Sequence, residues 1–137
     1  MNSTFEDTRV TAFQPKQEKD SETKETLDKM VFKGEAKLNN TLQISDLFAG
    51  FRKRLIRVKF SPYDQYDNDI AFDNVSIEDF TVKNKMERVG QGKDAERIPV
   101  EYVFFTMAVK MDAEGNFLKE MYSIFQRTVR MDIESLG

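Results

Sequence analysis

Alternation of apolar and polar positions is the dominant pattern in the chain, and it predicts strands. From Val31 to Leu38 the residues Phe32, Ala36 and Leu38 share one parity while Lys33, Glu35 and Lys37 take the other, the period of two of a half-buried strand. Asn39-Asn40 is turn material. Leu47, Phe48, Phe51 and Leu55 then fall within one arc of a helical wheel behind a capping Ser45, which predicts one short helix over roughly 46–54, weakened by Gly50. The period returns to two with Ile56, Val58 and Phe60 inward, until Ser61-Pro62 interrupts the strand. Ile70 and Phe72 share one parity, Val75 and Ile77 the other, and Phe80 and Val82 return to the first. Those two switches predict bulges near Asp73-Asn74 and Glu78-Asp79.

Glu87 to Arg97, with Gly90 and Gly92, reads as an exposed loop. Ile98–Met111 and Phe117–Met131 read as a long C-terminal hairpin around the loop 112–116. Setting Met111 opposite Phe117 pairs Met107 with Met121, Val103 with Phe125 and Glu101 with Arg127. Both faces of that hairpin are apolar, so it needs cover on two sides. The expected fold is mainly β (α+β), a small curled antiparallel sheet or barrel with one short helix.

Before Val31 the pattern changes. Residues 14–28, QPKQEKDSETKETLD, carry too little apolar surface to offset their ordering entropy and read as a polar linker. The apolar residues Phe5, Val10 and Phe13 stand beyond it. This predicts two parts: residues 1–28 as an extended N-terminal arm and linker, and 29–137 as a single β-rich domain, with Phe5, Val10 and Phe13 anchoring the arm on a neighbouring subunit.

Composition narrows the chemistry. The 137 residues include no Cys and no His, which excludes disulfide frameworks, thiol nucleophiles, Cys/His zinc sites and every relay through imidazole. The net charge of −3 comes from the first 28 residues, where four Lys/Arg meet seven Asp/Glu; the remainder holds seventeen of each. That balance argues against a protein that coats duplex DNA. No apolar stretch is long enough to span a bilayer and the N-terminus has no signal-peptide pattern, so the expected setting is cytoplasmic or a virion, without membrane insertion.

Two charged stretches carry the candidate chemistry. Arg52, Lys53, Arg54, Arg57 and Lys59 place five cations in eight residues, suited to a solvated helix end, a protein partner or a phosphate-bearing ligand. Asp64, Asp67, Asp69, Asp73, Glu78 and Asp79 form an acidic counterpart, but an EF-hand alignment from Asp67 puts Phe72 where the loop needs Gly. The cations followed by Asn74-Val75-Ser76-Ile77-Glu78-Asp79 resemble, over less than a quarter of the chain, the arginine-rich turn and Asp/Asn-x-Ser-x-x-Gly motif of PilZ domains, which bind cyclic di-GMP. Lys53 stands where the first Arg belongs and Asp79 where the Gly belongs, so no membership follows. No carboxylate pair is marked by spacing. The expected function is a non-catalytic structural subunit of a multi-copy complex, of virion or secretion-apparatus type, with no cofactor. Its expected partners are protein subunits, copies of itself foremost. The alternative is a nucleotide or single-stranded nucleic acid binder using Arg52–Lys59 with Tyr63 or Tyr66 stacking.

Overall fold

The computed structural model describes residues 2–19, 22–23, 26–38, 50–64 and 67–136. Six antiparallel strands, β1 (Asn2–Lys19), β2 (Thr26–Lys37), β3 (Ile56–Pro62), β4 (Ile70–Val89), β5 (Glu96–Lys110) and β6 (Val129–Ser135), close into a barrel in the order β1-β2-β5-β4-β3-β6. A helix, α1 (Asn116–Ile124), connects β5 to β6. Strands β3, β4 and β5 follow one another as neighbours, and β6 returns beside β3, a Greek-key path. Strand β6 also pairs with β1, so the barrel closes. The mainly β fold with one short helix is therefore as the alternation predicts.

The interior is filled by side chains of both periods. Phe32, Ile56, Val58, Phe60, Phe72 and Phe105 are fully buried, with Met30, Met107, Met121 and Met131 between them. Phe32, Phe60 and Phe72 stack within 6.0–6.5 Å of one another. Gly34 is required by close approach: a Cβ there would lie 2.6 Å from Phe105 Cζ and 2.7 Å from the Arg9 carbonyl. Both parity switches in β4 are bulges. One falls between the pairs Ile56–Val75 and Val58–Phe72, with Asn74 at φ 59°, and the other between Ile77 and Asp79.

Four expectations are corrected. The N-terminal arm is no arm: residues 2–19 are strand β1, Phe5 and Val10 are buried, and Phe13 packs edge-on against Phe125 at 5.3 Å. Period two is hidden there because register shifts interrupt the pairing between Phe5 and Thr8, where Asp7 has φ 48°, and again between Val10 and Ala12. The polar linker is mostly strand as well; Gln14–Lys19 pair with Thr26–Val31, tied by a Lys29–Glu18 ion pair at 2.8 Å.

The C-terminal hairpin is also absent. Phe117, Leu118, Met121, Ile124 and Phe125 recur at helical spacing, and Asp112 accepts hydrogen bonds from the backbone N–H groups of Asn116 (2.9 Å) and Phe117 (3.2 Å), satisfying two donors of the first turn. Strand β5 instead pairs with β2 and β4, so Glu101 faces Asn84, and Arg127 bonds Asp67 at 2.6 Å. Helix α1 covers one end of the barrel, with Phe117 edge-on to Phe72 at 5.0 Å.

The loop predicted over 87–97 shrinks to 90–95. Strand β4 continues to Val89 and β5 begins at Glu96, joined by a turn in which Gly90 has φ 98°. Of the helix predicted over 46–54, residues 46–49 lie outside the described residues; Gly50 and Phe51 are helical, Phe51 is buried, and 52–54 form a turn.

Candidate functional site

The five clustered cations do not converge. Arg52, Lys53 and Arg54 stand exposed on the turn before β3, where the Arg54 N–H donates to the Phe51 carbonyl (3.0 Å) and the Arg52 guanidinium lies 5.9 Å over the Phe80 ring. Arg57 and Lys59 instead project from the outer face of β3. Strand register sets Arg57 opposite Glu134 and Lys59 opposite Asp132, and Arg57 also meets Asp73 at 3.7 Å.

Arg130 on β6 joins the strand pair, a contribution no sequence signal near the cluster announces. Together with Ser3, Thr4, Asp132 and Glu134 these cations line an open cleft of about 470 Å³. Thr4 donates to Asp132 at 2.6 Å, and Asp132 also pairs with Arg130 at 3.4 Å. Cations and carboxylates alternate over this face, as cross-strand pairs do on a solvated sheet. Ser61 Oγ is buried without a hydrogen-bond partner among the described residues, and Arg130 Nε, on the directly opposed residue, is buried with the Asp132 carboxylate as its ion-pair partner.

The acidic stretch is likewise divided. Asp67 is held by Arg127 and Asp73 by Arg57. Among the described residues no three acidic side chains gather as a metal site would require. Tyr63 is fixed by its hydroxyl, which donates to Glu6 (2.6 Å) and accepts from the Asp7 N–H (3.1 Å). Tyr66 lies outside the described residues.

A second polar cluster sits where β4 leaves the barrel. Lys85 bonds Glu35 at 2.8 Å, Lys37 bonds Glu87 at 3.2 Å, Tyr102 donates its hydroxyl to Glu87, and the Lys85 ammonium lies 5.1 Å over the Tyr102 ring. Burial, then the bond to Glu87, pushes the Tyr102 phenol up to about 12. The Tyr102 hydrogen bond, then Lys37, holds the Glu87 carboxyl below the usual carboxylate range. Every charge in this network has an opposite one beside it. Its geometry is that of a clamp, holding the root of the β4–β5 hairpin to β2.

Beyond the clamp, β4 and β5 continue as a two-stranded ribbon from Lys83–Tyr102 to Val89–Glu96, past the end of β2 at Lys37. Met86 (57 % exposed), Val89 (50 %) and Ile98 (40 %) are open to solvent along it, and Val82 (38 %) at its base. The predicted loop at 87–97 conceals part of this surface, because its charges and glycines mask strand-forming Val89. Among the described residues no helix is long and apolar enough to cross a membrane. No protein-family model, curated protein or solved structure matches the chain.

Proposed function

We propose that this protein is a non-catalytic structural subunit that assembles with other protein chains through its β4–β5 ribbon. The observation that carries this reading is the concentration of three exposed apolar side chains on a projecting ribbon, with Val82 exposed at its base, in a molecule whose other large apolar residues mostly fill the barrel. The ribbon takes over the connecting role first assigned to the N-terminal arm. Burying such a side chain in a contact contributes roughly 1.5–3 kcal/mol, so a few of them offset much of the cost of association. Multi-copy assembly of the virion or secretion-apparatus type is the setting this architecture suits.

Sedimentation velocity over a wide concentration range tests the proposal. The full chain is expected to self-associate, and the pair Val89→Ser and Ile98→Ser to abolish association while leaving the melting temperature nearly unchanged. A double variant that associates like the parent, or a parent that stays monomeric, overturns it.

A second reading is favoured by the Arg57, Lys59 and Arg130 cleft with the unpartnered Ser61 hydroxyl beside it: binding of a phosphate-bearing ligand, as in a nucleotide or single-stranded nucleic acid. Asp132, Glu134 and Asp73 on the same face weaken its field, which places it second. Salt-sensitive oligonucleotide binding that is lost in Arg57→Glu and Arg130→Glu would bring it forward.

A further inference from the structure

Strand β4 outruns its neighbour on one side. Its pairing with β3 ends at Val75, whereas its pairing with β5 runs to Val89. Over 83–89 the backbone has β5 on one edge and no hydrogen-bonded strand on the other among the described residues.

The direction of the backbone groups on that edge follows from one bond. The Glu101 carbonyl accepts from the Leu38 N–H at 2.9 Å, on the β2 side of β5. Residues of the same parity on β5, Pro99 among them, therefore turn their backbone groups away from β4. Their partners Asn84 and Met86 are in non-hydrogen-bonded pairs with β5 and present their own N–H and C=O groups to the open edge. Pro99, which has no N–H to give, fits opposite Met86 for the same reason.

We propose that two copies of this chain pair antiparallel along β4 with the two-fold axis at Met86, an inference that rests on the assembly reading above. A symmetric antiparallel pair places one residue opposite its own copy, and the charge pattern Lys83-Asn84-Lys85-Met86-Glu87-Arg88 permits one centre. Centres at Lys83, Lys85, Glu87 or Arg88 set a charge against itself. A centre at Asn84 sets Lys83 against Lys85. At Met86, Lys85 faces Glu87 of the second copy twice over, Asn84 faces Arg88, and Met86 meets Met86. Among the centres from Lys83 to Arg88, like charges are absent from that register alone. The lysines along the edge thus discourage random pairing while admitting one arrangement.

The chain has no cysteine, so a single introduced thiol reports on its own copy. Facing residues in a hydrogen-bonded pair have Cα atoms about 5.5 Å apart, within disulfide reach. Met86→Cys is expected to give a covalent dimer under mild oxidation, whereas Val82→Cys, which faces Gly90 of the second copy, gives at least tenfold less. Asn84→Lys places a new cation against Arg88 twice and is expected to raise the dimer dissociation constant about tenfold, with the melting temperature of the monomer maintained. Self-association in which Val82→Cys cross-links as well as Met86→Cys, or which Asn84→Lys leaves unchanged, overturns the pairing and leaves the assembly reading standing. A chain that stays monomeric overturns both.

Discussion

The barrel carries two ribbons that leave it at opposite ends, and they differ in what they show to solvent. The β1–β2 ribbon, Gln14–Lys19 with Thr26–Lys29, is built from Lys, Glu, Gln, Asp and Thr with Pro15 and a half-buried Leu27, and none of its residues is an exposed large apolar one. The β4–β5 ribbon also carries charges at its core-side root but presents Met86, Val89 and Ile98 to solvent, with Val82 exposed at its base. Two-stranded pairing alone is marginal in water, so each needs a second source of stability. The first is anchored by β1 running into the barrel, where Phe5, Thr8 and Val10 are buried. The second is anchored by its clamp and leaves apolar surface open to solvent.

The largest effect separates anchor from tip. Removing residues 1–12 takes Phe5, Thr8 and Val10 from the core and opens the barrel between β2 and β6, so the cooperative urea transition is expected to vanish. Replacing residues 16–28 with a tight turn should preserve it. At the root of the polar ribbon, Gly34→Ala forces a methyl against Phe105 and the Arg9 carbonyl; a loss of about 1–3 kcal/mol in denaturant melts is expected.

The clamp of the apolar ribbon gives a pH dependence. Glu87 has a depressed carboxyl pKa, so its contribution is present above the unfolded carboxylate value and lost as pH falls through the lower folded one. Tyr102 is raised from 10.0 to about 12, so its contribution is full below 10 and lost as pH rises through about 12. Glu87→Gln should flatten the acid limb of a stability profile and Tyr102→Phe the alkaline limb; unchanged limbs would show that the clamp does not hold the ribbon. The smallest effect belongs to the polar ribbon, where Glu18→Gln breaks an exposed pair with Lys29 and should change stability by under about 0.5 kcal/mol.

Legibility in the sequence tracked how regular each element is. Ile56, Val58 and Phe60 alternate without interruption and are buried as predicted, and the two parity switches of β4 fell where the bulges are. In β1 the spacing Phe5, Thr8, Val10, Phe13 crosses two register shifts in a few residues, so a strand looked like scattered apolar positions. Phe117 to Phe125 fits either period when read in short windows, and Asp112 decides for the helix through contacts made four and five residues away. The cation cluster was visible, but its division between a turn and a strand was not. Arg130 enters only through β6–β3 pairing, which joins residues some seventy positions apart.

The closure of the barrel sets the order in which the molecule can be finished. Thr4 bonds Asp132 across 128 positions of sequence, so the seam between first and last strand cannot form until the C-terminal residues have left the ribosome. During synthesis β1 and β3 each wait with one edge unmatched, and the aromatic interior stays wet on that side. Contacts of such long range carry a high loop-closure cost and slow the final step. A nascent chain of this kind depends on what shields two waiting edges in the interval.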